Sequence, residues 1–265
     1  MLIGIAFEAG REVMRCYESG EIGVEGKDDG SPVTAADRAA EAVILRGLRA
    51  IAPDVPVVAE EEVSAGRVPD TAGEFFLVDP LDGTKEFIKG AQSRGEFTVN
   101  IGLVRDGAPI AGVVFAPALK QLWAAAPGKA WTAEADAADG ISPARPIAVR
   151  EAPSGGLTAV ASRSHDTPET EDFLARYQIA ERSSAGSSLK FCLVAEGRAD
   201  IYPRLGRTME WDTAAGDAVL RAAGGRTLTL DGAPLRYGKR NQSDDADFAN
   251  PYFVALGRAE FRMPD

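Results

Sequence analysis

The chain has 265 residues, 45% of them hydrophobic and 26% charged, a balance that fits a globular protein and excludes a disordered or collagen-like one. With 29 basic and 40 acidic residues the formal net charge is −11, which argues against nucleic-acid binding through a broad basic surface. No apolar run reaches the roughly 18 residues that a membrane span needs. Residues 2–18 predict an amphipathic helix, because Glu8, Arg11, Glu12 and Arg15 interrupt the apolar positions and break up any signal-peptide core. A second helix is predicted over 34–51, opened by Ser31-Pro32-Val33-Thr34. Strand-like runs follow at 56–59, 75–79, 97–105 and 109–115, the last two joined by a hairpin turn at Arg105-Asp106-Gly107.

Residues 133–146, rich in Ala, Asp, Gly and Pro, read as the seam between an N-terminal half, 1–140, and a C-terminal half, 141–265, of one unit. Beyond it the pattern predicts a strand at 157–162, a helix at 168–177, and a helix opening at Gly186-Ser187-Ser188 and ending at Gly197. A strand at 199–202 and a helix from Trp211 or Asp212 to about Ala223, closed by Gly224-Gly225, complete the reading. Meander strands with intervening helices predict a layered α+β fold rather than a regular βαβ wheel. Cys16 and Cys192 each fall in an apolar helical pattern and are expected as buried thiols, not a disulfide.

The most informative segment is 75–84. A hydrophobic run leads into Asp79, Pro80 is expected to end the strand and Gly83 to allow a tight turn, so Asp79, Asp82 and the Thr84 hydroxyl emerge together. Such hard oxygen groups suit Mg²⁺. Glu60, Glu61 and Glu62 follow the predicted strand at 56–59, and Asp212 begins a helix. Taken singly, each has a plainer reading: Asp212 as an N-cap, the glutamates as a solvated loop, Thr34-x-x-Asp37 as a capping box. In the second half, Gly186, Ser187 and Ser188 could offer N–H groups and hydroxyls to an anion, with Lys190 and Arg204 nearby. By themselves the two cations read as surface charges. His165, the only histidine, sits just past a strand in Ser162-Arg163-Ser164-His165 and alone reads as structural. Asp79 and Asp82 also invite comparison with haloacid dehalogenase-type phosphatases, which need Asp-x-Asp, but the spacing here is three, not two.

Together, Asp79-Pro80-Leu81-Asp82-Gly83-Thr84, the preceding Glu60-Glu61 and the later Trp211-Asp212-x-x-Ala215-Gly216 resemble the signature pair of the inositol monophosphatase superfamily. The stretches 31–37, 78–89, 95–101 and 184–197 resemble its bisphosphate nucleotidase branch, and the resemblance spans roughly 6–255. It implies a layered α/β/α/β/α sandwich of the sugar phosphatase type, with two or three Mg²⁺ ions where the halves meet. It makes the carboxylates of Glu60, Asp79, Asp82 and Asp212 and the carbonyl of Leu81 metal ligands. Glu61 supports them, and Asp37 and Thr84 polarise a water that attacks phosphorus. The implied substrate pocket comprises Gly83, Thr84, His165, Gly186, Ser187, Lys190, Arg204 and Asp212.

The implied reaction converts 3'-phosphoadenosine 5'-phosphate to AMP and phosphate, since a bisphosphate needs one phosphate at the metals and another gripped elsewhere. The resemblance further implies inhibition by lithium, a role in sulfur metabolism, and a cytoplasmic enzyme with no obligatory protein partner, weak attachment to the inner face of the membrane staying open. Hydrolysis of inositol-1-phosphate or fructose-1,6-bisphosphate, and phosphate binding without catalysis, are the alternatives. The loop 90–95 is longer than the branch pattern and bears on access to the metals.

Overall fold

The computed structural model describes residues 1–20, 23–26, 32–90, 94–136, 140–162 and 167–263, with only the backbone of Ser162. Helix α1 (Leu2–Ser19) buries Ile5, Ala6, Ala9, Val13 and Cys16 along one stripe and stops at Gly20, whose φ of 71° is left-handed. A small antiparallel pair, β1 (Glu25–Gly26) and β2 (Pro32–Val33), precedes α2 (Ala35–Ile51). Thr34 caps α2: its amide donates to Asp37 Oδ2 at 2.8 Å, so the plain capping reading of Thr34-x-x-Asp37 holds.

The first sheet is built from β3 (Val57–Ala59), β4 (Glu74–Asp82), β5 (Thr98–Arg105), β6 (Ala108–Ala116), β7 (Gln121–Ala126) and β8 (Lys129–Asp136). Short β9 (Gly140–Ile141) pairs with β8 on its own, and β10 (Arg145–Pro146) closes the order β10-β8-β7-β6-β5-β4-β3. The soft stretch at 133–146 therefore carries the end of β8 and two further strands of this sheet, and the second sheet starts at Leu157. Helices α3 (Glu60–Ser64) and α4 (Thr84–Ile88) follow β3 and β4 directly. The second sheet orders β12 (Ile179–Ala185), β11 (Leu157–Ser162), β13 (Ile201–Arg204), β15 (Phe253–Leu256) and β14 (Arg226–Thr229). Helix α5 (Pro168–Leu174) lies on its outer face, and α6 (Leu189–Ala195) and α7 (Glu210–Ala222) fill the space between the sheets.

Three cores result, and they define the α/β/α/β/α layers. Phe76, Val78, Ile101 and Phe115 meet α1 and α2 on one face of the first sheet, while Phe75, Leu77 and Val114 meet Phe191 and Trp211 on the other. Alternation within β4 explains why its sequence is apolar throughout: both faces are covered. Phe173, Leu174, Ile201, Val254 and Leu256 form the third core, beneath α5. Helix α7 is buried on nearly every side. A Cβ at Gly112 of β6 would lie 2.8 Å from the Ala215 carbonyl oxygen, so only glycine lets the helix backbone settle there. Cys16 and Cys192 are free and buried. Among the described residues no helix is long and apolar enough to cross a membrane.

Pro80 does not end the pairing of β4, as the sequence suggested. Asp79 pairs with Asn100 and Asp82 with Thr98, so three steps along β4 match two along β5 and the Pro80-Leu81 segment forms a bulge. Residues three apart in a regular strand face opposite ways. The extra residue brings Asp79 and Asp82 to the same face, opposite partners that are themselves two apart.

Candidate active site

That bulge opens onto a cleft of about 290 Å³ walled by Glu60, Asp82, Thr84, Ser187, Lys190, Arg204 and Asp212. Strand β3 runs parallel to β4 with Ala59 beside Val78, which sets Glu60 beside Asp79 at the strand ends. Asp79 is 2% exposed, and its carboxyl is held well above the usual carboxylate range by burial and then by the charges of Glu60, Asp82 and Asp212. Burial, then Asp82 and Glu60, raise Asp212 in the same way. Acids from three separate segments of the chain thus act on Asp79 and Asp212.

Each aspartate is anchored by one oxygen. Asp79 Oδ1 accepts the Leu81 amide at 3.0 Å. Asp212 Oδ2 accepts the Met209 amide at 2.9 Å as the third residue of α7, which begins at Glu210 rather than at Asp212. Asp82 Oδ2 accepts Ser187 Oγ at 2.6 Å, Ser188 Oγ at 3.1 Å and Asn100 Nδ2 at 3.3 Å. Among the described residues, Oδ2 of Asp79 and Oδ1 of Asp82 and Asp212 take no hydrogen bond. Asp37 Oδ2 holds Thr34, while its Oδ1 lies 3.4 Å from Thr84 Oγ1. The Thr84 hydroxyl also reaches the Leu81 carbonyl at 3.1 Å. The Glu61 amide donates to Glu41 Oε2 at 2.9 Å. Glu41 is buried, and burial pushes its carboxyl up to about 7 despite that hydrogen bond.

As the side chains stand, no group of three or more histidine, cysteine, aspartate or glutamate residues among the described residues is disposed to hold a metal ion. The chemistry of the donor set nevertheless fits a hard divalent cation. Glu60, Asp79, Asp82 and Asp212 are oxygen donors whose mutual repulsion a cation would relieve, and Mg²⁺ ordinarily binds a few carboxylates and completes its shell with water and phosphate.

The same cleft is lined by Lys190 and Arg204, and the surface-charge reading of these cations is wrong. Lys190 is 5% exposed, donates to the carbonyls of Ser187 at 2.6 Å and Ala185 at 3.3 Å, and lies over the Tyr202 ring. Burial lowers its ammonium to about 8 against the opposing pull of Asp82. Arg204 is buried too; its Nη2 donates to the Arg207 carbonyl at 3.1 Å while its Nε has no hydrogen-bond partner among the described residues. Helix α6 begins at Leu189, later than expected, so Gly186 and Ser187 lie in a preceding turn where Ser187 has a φ of 53°. The Gly186 amide is not offered to an anion there, because it donates to Glu96 Oε2 at 2.7 Å. Gly83 has a φ of 91°, and a Cβ on it would lie 3.1 Å from the Glu96 carbonyl oxygen, so the turn needs glycine. His165 lies outside the described residues.

Sequence reasoning assigned no role to Asn100, Glu96 or Tyr202, although Tyr202 lines the cleft and the other two brace it. A signal existed: Glu96, Thr98 and Asn100 alternate with buried Phe97, Val99 and Ile101.

Layered sheets, carboxylates gathered near a strand bulge and buried cations in the same cleft together define a sugar-phosphatase type of architecture, and this chain belongs to the inositol monophosphatase family, which matches residues 1–249. It is similar to the 3'(2'),5'-bisphosphate nucleotidase CysQ of Escherichia coli strain K12, 47% identical over 94% of this chain and 95% of that one. The CysQ of Buchnera aphidicola is 42% identical over 95% of this chain and 90% of its own. Among solved structures, CysQ from Bacteroides thetaiotaomicron superposes with a TM-score of 0.77 at 39% identity, covering 97% of this chain and 96% of that one. An inositol monophosphatase from Thermotoga maritima gives 0.74 at 25% identity, covering 97% and 90%.

Proposed function

We propose that this chain is a magnesium-dependent 3'(2'),5'-bisphosphate nucleotidase that removes the 3'-phosphate of 3'-phosphoadenosine 5'-phosphate, giving AMP and phosphate. The carrying observation is one cleft lined by both acidic side chains and the buried cations Lys190 and Arg204. Curated relatives named as bisphosphate nucleotidases match at 34–47% identity over almost the whole chain, whereas the inositol monophosphatase of Thermotoga maritima matches at 25%.

In this reading the N-terminal half, 1–140, supplies Glu60, Asp79, Asp82 and the Leu81 carbonyl, and the C-terminal half, 141–265, supplies Asp212, Lys190 and Arg204. The carboxylates would hold two or three Mg²⁺, which supply positive charge to the phosphate and make water acidic enough to attack. Asp37 Oδ1 and Thr84 Oγ1 sit together where they can orient that water and accept its proton. The water oxygen bonds to phosphorus as the P–O bond to the ribose oxygen breaks, and that oxygen leaves as a hydroxyl after taking up a proton. Lys190 and Arg204 grip the 5'-phosphate, with Gly186 and Ser187 in the turn beside them, and His165 belongs to the same pocket. Glu61, held by Glu41, supports Glu60. A soluble nucleotide as substrate and a place in sulfur metabolism agree with a cytoplasmic enzyme.

A phosphate-release screen tests this. We expect kcat/KM for the nucleoside 3',5'-bisphosphate to exceed that for inositol-1-phosphate and fructose-1,6-bisphosphate, and activity to vanish without Mg²⁺. Preference for inositol phosphate overturns the assignment. A phosphoaspartate trapped at Asp79 overturns direct attack by water.

A further inference from the structure

The start of β5 carries polar residues at every second position, Glu96 just ahead of the strand and Thr98 and Asn100 within it. Their neighbours Phe97, Val99 and Ile101 are buried in the core beneath α1 and α2, so the period of two turns all three polar groups to the other face. There they meet three consecutive residues of the turn before α6. Glu96 Oε2 accepts the Gly186 amide at 2.7 Å, Thr98 Oγ1 touches Ser187 Oγ, and Asn100 Nδ2 donates to Ser188 Oγ at 2.9 Å. The same Asn100 nitrogen reaches Asp82 Oδ2 at 3.3 Å, and Ser188 Oγ reaches the Asp212 carbonyl at 2.7 Å. One strand face thereby ties together a carboxylate from the first sheet, the wall of the cleft and the first turn of α7.

The orientation of the Asn100 amide follows from its surroundings. A carboxylate only accepts, so the NH₂ faces Asp82, which leaves the amide oxygen towards Thr98 Oγ1, 3.1 Å away, whose single proton is shared between this oxygen and Ser187 Oγ. Asn100 is fully buried, so water does not replace these bonds once they are lost. With Oδ2 of Asp82 facing Asn100 and the two serine hydroxyls, Oδ1 is left without a hydrogen bond among the described residues.

We propose that Asn100 is a positioning residue for hydrolysis: it fixes the rotation of Asp82 and, through Ser188, locks that carboxylate to the substrate wall, with Thr98 setting the direction of its amide. This rests on the reading of Asp82 as a metal ligand. Its test is a Mg²⁺ titration of the unfolding temperature of the EDTA-stripped full-length protein, run beside activity. Asn100→Ala should weaken apparent Mg²⁺ affinity by about 10- to 100-fold, and high Mg²⁺, but not high substrate, should restore most of kcat.

Thr98→Val keeps the shape while removing the hydroxyl and should weaken Mg²⁺ affinity in the same direction by a smaller factor. Ile101→Val, on the opposite face, should lower stability and leave Mg²⁺ affinity unchanged. Unchanged Mg²⁺ affinity in Asn100→Ala and Thr98→Val overturns the proposal, and Thr98→Val alone decides if Asn100→Ala does not fold. Asp82→Asn separates the two ideas. Unchanged Mg²⁺ affinity there overturns the ligand reading itself, whereas affinity lost in Asp82→Asn but kept in the other two variants overturns only the positioning role.

Discussion

Removing divalent cations with EDTA and then returning Mg²⁺ should raise the unfolding temperature by an amount that the chain length sets. A ligand that binds only the folded state at 100 times its Kd adds about 2.7 kcal/mol. A chain of 265 residues unfolds with an entropy of about 0.6 kcal/mol per degree, so the shift should be about 5 °C. The physical source is the crowding of Glu60, Asp79, Asp82 and Asp212: burial and then the neighbouring acids raise the proton affinity of Asp79 and Asp212. Asp79→Asn removes one of these charges. It should therefore raise the unfolding temperature of the stripped protein and shrink the Mg²⁺ response. Differential scanning calorimetry at pH 8, with Ca²⁺ and monovalent salt as controls, reads both effects. An unfolding temperature indifferent to Mg²⁺, or a full response in Asp79→Asn, would refute the reasoning.

The Lys190 ammonium titrates at about 8, so kcat/KM for the bisphosphate should fall as pH rises through that value, because the charge that grips the second phosphate is lost. With a nucleoside monophosphate the same limb should be absent, and parallel profiles would remove Lys190 from the grip. Lithium should inhibit at millimolar concentrations in competition with Mg²⁺, which a phosphate-release assay at two Mg²⁺ levels would show. Gly112→Ala places a methyl 2.8 Å from the backbone oxygen of Ala215, which cannot swing aside. It should cost about 1–3 kcal/mol, and an unchanged melting temperature would contradict the close seating of α7 on β6.

Much of the architecture was legible in the sequence because it is written in short-range chemistry. Helices α1 and α2 follow from apolar stripes and a capping box, and the β5–β6 hairpin from its turn residues. Strands β12, β14 and β15 escaped notice because two of them carry scattered polar residues and depend on partners distant in sequence for their pairing. The acids of the candidate site share a sequence pattern that the structure brings together, yet the device that aligns Asp79 with Asp82 was misread. Proline usually ends a ladder, and only the register against Asn100 and Thr98 reveals a bulge. Burial of Lys190 and Arg204 was equally invisible, since it comes from packing between two sheets and not from neighbours in the chain. What braces Asp82 was overlooked for a related reason. A strand with both faces covered conceals alternation unless the polar members are read as a set.

Capping and chemistry are not rival explanations of the same aspartates. Asp212 gives Oδ2 to the Met209 amide and keeps Oδ1 clear of hydrogen bonds among the described residues, so a single side chain starts α7 and faces the cleft. The two duties separate by substitution. Asparagine keeps an oxygen that can accept the Met209 amide, whereas alanine removes that hydrogen bond at a cost of about 1 kcal/mol, or about 2 °C for a chain of this size. Asp212→Asn should therefore melt within a degree or so of the unchanged protein in the stripped state while losing Mg²⁺ response and activity, and Asp212→Ala should lose all three. If the asparagine variant kept its turnover, the carboxylate would be a cap and nothing more, and the site would have to be rebuilt from Glu60, Asp79 and Asp82.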